Sequence, residues 1–300
     1  MSFYVAAYDT EAVFEWWEPT RSDAAGYDAY VSYEGEPRET FLAGARAVAE
    51  AHLATETPAT FFIVAKLLDH CGSELRAILD HPSFDLQCHS YTHPDLIRIS
   101  ADEKALRYEL IDSKKRIEDT FGRPIIGLTA PGGYTRGFSG QTFMLDLMAE
   151  AGYRYMRTIG AGPNGTVPAP LHQPFWYAED GHPDLLEIPS HAWHDNILTG
   201  QPGLVHWPPV LPWAYPTEMP TDAAGVYAAY APGIEHAAAE DLLTYIPIFH
   251  PWSIHRIDEQ AKQISLLLEH AQSQQQIASC TKVYEYLCAH RAQASDHPPL

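Results

Sequence analysis

Cys88-His89-Ser90-Tyr91-Thr92-His93-Pro94 follows the short apolar run Phe84-Asp85-Leu86-Gln87. Two histidines four residues apart, placed just after a strand, can turn both imidazoles toward one point. A divalent cation needs that convergence, because each ring then offers one lone pair along a meeting direction. The spacing by itself carries little, since 16 histidines in 300 residues produce about one such pair by chance. Its weight comes from what surrounds it.

Working outward, apolar β-rich runs alternate with helical patterns, which predicts a mainly parallel sheet with crossover helices. The spacing predicts strands at 3–8, 59–64, 84–88, 125–129, 153–157, 185–189 and 245–249. Helices are predicted at 40–52, 67–79, 100–120, 140–151, 257–270 and 281–292. Ser100-Ala101-Asp102-Glu103 reads as a Ser-x-x-Glu capping box opening the third helix, Gly122-Arg123-Pro124 ends that helix, and Gly152 closes the fourth. Seven strands with intervening helices point to an α/β barrel of about seven units within a single domain spanning 1–300. Two long insertions interrupt it, 11–39 with Trp16, Trp17, Tyr27, Tyr30 and Tyr33, and 198–232 with seven prolines. Both follow strand ends, where parallel barrels keep their active sites, and loops this long usually bind or cover something.

The chain carries 19 basic and 39 acidic residues, a net charge of −20. Nucleic acid and anionic membrane are thereby disfavoured as partners, since both need clustered Lys and Arg. No apolar run approaches the ~20 residues of a membrane helix. The start Met1-Ser2-Phe3-Tyr4 lacks the basic head of a signal peptide, so a cytoplasmic location is expected. Cys71, Cys88, Cys280 and Cys288 form no Cys-x-x-Cys pattern and are expected to be reduced.

Asp9-Thr10-Glu11 ends the first predicted strand. Side chains at i and i+2 share a face, so these carboxylates can share a site and divide into a metal ligand and a general base.

Taken together, Ala59-Thr60-Phe61-Phe62-Ile63-Val64, the 88–96 segment, Gly127-Leu128-Thr129-Ala130-Pro131-Gly132-Gly133-Tyr134, Ala149-Glu150-Ala151-Gly152-Tyr153-Arg154-Tyr155 and Ile248-Phe249-His250-Pro251 resemble, in order, the motifs of the polysaccharide deacetylase family (carbohydrate esterase family four). The resemblance implies a distorted (β/α)7 barrel holding one divalent metal, most often zinc, with cobalt, nickel and iron also compatible with two histidines and a carboxylate. It implies that His89 and His93 are metal ligands, with Glu11 as third ligand and Asp9 as general base; the exchange of the two carboxylate roles stays open. His250 would be the general acid. Pro131, Tyr134, Trp193 and Asp195 would line the substrate site, Asp195 alternatively tuning His250. The implied chemistry is metal-assisted hydrolysis: Asp9 takes the proton of the attacking water and His250 protonates the leaving amine.

One departure stands out. The family's third motif begins with an arginine that orients the catalytic aspartate, and here that position is Thr129. Asp9 would then be held less firmly, or by another residue such as Arg136. The expected function is removal of an acetyl or other small acyl group from an amino sugar or sugar conjugate. A cytoplasmic deformylase, a cyclic-amide hydrolase of the allantoinase type and a catalytically impaired carbohydrate binder are the alternatives. The expected partner is a small-molecule or carbohydrate substrate, with self-association into a homo-oligomer left open.

Overall fold

Alternation along the short apolar runs decides which side chains face a barrel interior and which face a helical shell. The computed structural model describes residues 1–13, 31–161, 171–195 and 220–299, with the side chains of 192–194 outside that description. The elements run β1 (Phe3–Val5), β2 (Ala7–Thr10), α1 (Gly35–Ala54), β3 (Ala59–Ile63), α2 (Leu67–Leu79), β4 (Phe84–Cys88) and α3 (Glu103–Arg107). A π-helical turn (Tyr108–Asp112) joins α3 to α4 (Ser113–Phe121), followed by β5 (Gly127–Tyr134), α5 (Thr142–Glu150) and β6 (Tyr155–Ile159). Next come β7 (Phe175–Tyr177), β8 (His182–Glu187), β9 (His191–His194), α6 (Ala223–Ala239), β10 (Thr244–Tyr245) and β11 (Pro247–Phe249). The chain finishes with α7 (Pro251–Ile257), α8 (Lys262–Gln274), β12 (Gln276–Ala278) and α9 (Cys280–Ala289).

Strands β2 to β6 are successive parallel neighbours. The next stave is shared by two strands: β8 pairs in parallel with β6, and β9, just beyond it, pairs in parallel with β11. The Ser190 amide donates to Ile159 O (2.9 Å) and the His191 amide to Ile246 O (2.7 Å), which marks the crossover. Because β11 returns to β2, the 182–194 segment closes a ring of seven parallel staves. This is the expected α/β barrel, distorted because one stave is split between two neighbours. Below it, β1 pairs with β10 and β12 in a separate three-stranded sheet.

Two buried apolar clusters follow the alternation. Tyr8, Phe61, Ile63, Leu86, Cys88 and Leu128 face the helices and meet Leu75, Leu106, Ile117 and Phe249. Val5, Ala7, Phe62, Tyr155, Leu186, Ile188 and Ile246 form the other cluster, a floor inside the barrel. Continuing the inward parity toward the C-terminal strand ends reaches Asp9, Glu11, His89, Thr129, Arg157, Ser190 and His250.

Several expectations are corrected. The 3–8 run is two strands in two sheets, broken at Ala6, whose carbonyl accepts from the Thr60 amide. Helix α3 is capped by Asp102, which accepts from the Ala105 amide (3.0 Å), and not by Ser100, which sits in the preceding turn. The 11–39 insertion is shorter than expected, since α1 already starts at Gly35; residues 14–30 lie outside the described part. Of 198–232, residues 198–219 lie outside it too, and Ala223–Pro232 is helix despite its proline, opened by Asp222 accepting from Gly225 N (2.8 Å). The 257–270 helix is displaced: α7 ends at Ile257 and α8 starts at Lys262. No helix among the described residues is long and apolar enough to cross a membrane.

Candidate metal centre

Glu11 follows β2, and His89 and His93 follow β4, so the three side chains meet at the mouth of the barrel. One ligand atom from each lies within 4.8 Å of the other two. Glu11 Oε2 stands 3.4 Å from His89 Nε2 and 2.9 Å from His93 Nε2. Ligands at zinc distances in a tetrahedron are about 3.3 Å apart, so these spacings fit a shared cation. Glu11 and His89 are each 1% exposed. Both Glu11 oxygens and His89 Nε2 are buried, with no geometrically satisfactory hydrogen bond made to them. Buried polar atoms left so are costly unless something else satisfies them, and a cation satisfies all three.

The loop carrying the histidines is held from several sides. The His89 amide donates to Ile63 O (2.9 Å), and Ser90 O and Tyr91 O accept from the Ala65 and Lys66 amides (both 3.0 Å). Ser90 and His93 adopt left-handed backbone (φ 61° and 60°), and Ser90 Oγ accepts from the His93 amide (3.0 Å). Nδ1 of His89 lies 3.1 Å from Thr129 O. A carbonyl can only accept, so Nδ1 carries the proton and the Nε2 lone pair points into the site.

Asp9 sits beside this group. Its Oδ1 accepts from Arg157 Nη2, while Oδ2 lies 3.9 Å from His89 Nε2 and 4.0 Å from His250 Nε2. Arg157 Nη1 also donates to Ser190 Oγ (3.0 Å), and the guanidinium lies 4.9 Å from the Phe62 ring centroid. His250, one residue beyond β11, donates Nδ1–H to Asp195 Oδ1 (2.5 Å) and its backbone N–H to Asp195 Oδ2 (2.7 Å). Its Nε2 stands 3.5 Å from Glu11 Oε1.

Electrostatics separate these groups. Burial opposes ionisation of Glu11, yet His93 and His250 beside it hold its carboxyl well below the usual range. Burial brings His93 down to about 4, against the pull of Glu11, so the ring is neutral near pH 7 and can serve as a ligand. Burial likewise lowers His250, but Asp195 and Glu11 outweigh it and raise the ring above its ordinary value. Arg157 falls to about 10 through burial and stays charged at neutral pH.

Thus Asp9, Glu11, His89, His93 and His250 come together. Asp195, for which two roles were open, spends both oxygens on His250. Pro131 is buried in β5, and the Tyr134 hydroxyl donates to Asp95 Oδ1 (3.0 Å) and accepts from the Ile97 amide (3.3 Å). Trp193 lies in β9 with its side chain outside the described part. The loss expected from Thr129 is corrected: its register partner on the next strand is Arg157, whose guanidinium reaches Asp9, while Arg136 is exposed. Arg157 was missed although its parity gave a signal, since a charge on the inward face of an apolar strand requires a partner.

Residues 45–156 match the family model described as polysaccharide deacetylase. That stretch is similar to the polysaccharide deacetylase family. The match takes in His89 and His93 and ends one residue before Arg157. The family fold is matched across the whole chain by a putative polysaccharide deacetylase from Mycobacterium smegmatis, at TM-score 0.70 and 15% identity, covering 100% of this chain and 93% of that one. Puue allantoinase (TM-score 0.63, 14% identity) covers 96% of this chain and 89% of its own length. A probable polysaccharide deacetylase from Pseudomonas aeruginosa PAO1 (TM-score 0.61, 14% identity) covers 96% and 90%. No curated protein sequence matches the chain.

Proposed function

We propose that this chain is a metal-dependent amide hydrolase that removes an acetyl or other small acyl group from an amino sugar or sugar conjugate. The observation carrying this reading is the buried trio Glu11, His89 and His93, with unsatisfied atoms facing one point and Asp9 and His250 beside it. Glu11, His89 and His93 would hold the cation; zinc suits this donor set, and cobalt, nickel or iron are compatible. When bound, the cation would polarise the amide carbonyl as a Lewis acid.

The remaining work falls to the chain. Arg157 engages Oδ1 of Asp9 and leaves Oδ2 turned toward the centre, where it takes the proton of the attacking water. His250 holds a proton on Nε2, raised by Asp195 at Nδ1, and delivers it to the leaving nitrogen. That delivery is required, because an amide anion is too poor a leaving group at neutral pH. Ring-shaped cyclic amides present the same bond, and the shared barrel of an allantoinase makes them the natural comparison substrates.

The test is metal content and activity together. Purified protein is expected to retain close to one divalent metal per chain, lost in His89→Ala, and to release acetate or formate from members of an amino-sugar panel. Absence of His89-dependent metal binding overturns the reading. Hydrolysis of allantoin or related ureides with no acyl release from sugars moves the substrate to the cyclic-amide class.

A further inference from the structure

We propose that Glu109 is a positioning residue for the metal-ligand pair, fixing the loop between His89 and His93 by gripping two consecutive backbone amides. The inference rests on the metal-centre reading above and concerns a residue that belongs to neither the trio nor its flanking acid and base. Glu109 is buried, 4% exposed, and its carboxylate is spent on the loop. Oε2 accepts from the Tyr91 amide (2.7 Å) and the Thr92 amide (2.8 Å), and Oε1 from the Thr92 hydroxyl (2.7 Å).

The need for such a grip is geometric. His89 and His93 have helical spacing but stand on a loop, so no helix hydrogen bonds set their separation. Two non-glycine residues there, Ser90 and His93, occupy left-handed backbone, a conformation that persists only where the surroundings impose it. Glu109 imposes it from outside the loop. Its own placement is unusual, because it lies in the π-helical turn Tyr108–Asp112 that interrupts an otherwise α-helical run. Such turns aim a side chain where the α-helical repeat would not. Ser113, one turn on, donates to Glu109 O (2.5 Å) and touches Cys88 Sγ (3.2 Å), the residue just before His89. The bulged segment is therefore tied to both the start and the middle of the ligand loop. Release of the grip leaves the ligands to be ordered at the moment of metal binding, which lowers affinity.

The test measures Zn²⁺ affinity by chelator competition at 20 °C on metal-stripped protein. It compares wild type, Glu109→Ala, Glu109→Asp, Glu109→Gln, Glu118→Ala and His89→Ala. Amide hydrogen exchange at 90–93 is followed on the same samples without metal. Glu109→Ala is expected to bind Zn²⁺ roughly 10–100-fold more weakly, with faster exchange at Tyr91 and Thr92. Glu109→Gln, whose amide oxygen still accepts from both N–H groups, recovers most of the affinity. Glu118→Ala is the control on the same helical run: it frees the Ile125 amide that Glu118 accepts at 3.0 Å and is expected to lower stability while leaving affinity at the wild-type level. Where Glu109→Ala fails to fold, Glu109→Asp carries the test, since it draws the carboxylate back by one carbon at constant charge. Wild-type affinity in both Glu109→Ala and Glu109→Asp, or an equal loss in Glu118→Ala, overturns the proposal while the metal centre stands. If wild type and His89→Ala bind alike, the metal centre falls and this role with it.

Discussion

A guanidinium on one strand does the work expected from its neighbour. Thr129 and Arg157 are register partners on β5 and β6, and the Thr129 hydroxyl donates to Arg157 O (2.8 Å). Arg157 is thereby set at the level of Asp9 with a forked head that also reaches Ser190. An ammonium cannot reproduce the two directed bonds, so charge alone should not suffice. Arg157→Met is expected to lower the rate about 100-fold with Zn²⁺ content unchanged. Arg157→Lys should recover only a minor part, and Arg136→Ala should behave as wild type. Steady-state rates with metal analysis on each variant check this, and a fully active Arg157→Met removes the role. The convergence of His89, His93, Asp9 and Glu11 was legible because strand ends and i, i+2 parity fix these residues locally. Arg157 was not, because its role lies across the barrel, and only the burden of an interior charge announces it.

At the scale of elements, β4 and α2 were legible to the residue, 84–88 and 67–79, since a clean period of 2 or 3.6 lies between clear turn residues. Helix α7 was not, because it is short and begins at Pro251 directly after a strand. Helix α6 was hidden by the prolines around it. Of the stave 182–194 only 185–189 read as a strand, because the second half, His191–His194, pairs with a different neighbour and carries no apolar alternation of its own. Helix α7 matters to the site since it starts one residue after His250 and packs along α1. A Cβ added at Gly44 of α1 would lie 2.2 Å from the Pro251 carbonyl oxygen, so the two helices touch through backbone there. Gly44→Ala is expected to cost about 1–3 kcal/mol in urea unfolding. It should also displace His250, reducing turnover more than Zn²⁺ affinity; unchanged stability would mean the helices can separate freely.

For the whole molecule, two buried histidines away from the ligand set make stability depend on pH. Burial holds His52 and His191 each at about 4. His52 bonds Tyr8 and Thr57 (both 2.8 Å), and His191 accepts from the Ile246 amide (3.0 Å) and donates to His172 O (2.9 Å). Their folded values lie below the unfolded value near 6.5, so between pH 4 and 6.5 the unfolded chain binds more protons. Stability is complete above about 6.5 and falls as pH drops toward 4, by on the order of 3 kcal/mol for each ring. Urea midpoints across that window should show the slope, and His52→Gln should flatten its share; an unchanged slope would assign the acid sensitivity elsewhere. The divided stave carries a consequence of another kind. Ser190, which meets Arg157, and Asp195, which meets His250, both belong to the one stretch that clasps the two halves of the ring. Until that clasp fastens, neither Arg157, the partner of Asp9, nor His250 has its support. Under the proposed function a half-assembled barrel is chemically silent, and the appearance of hydrolysis during refolding would report the last act of closure.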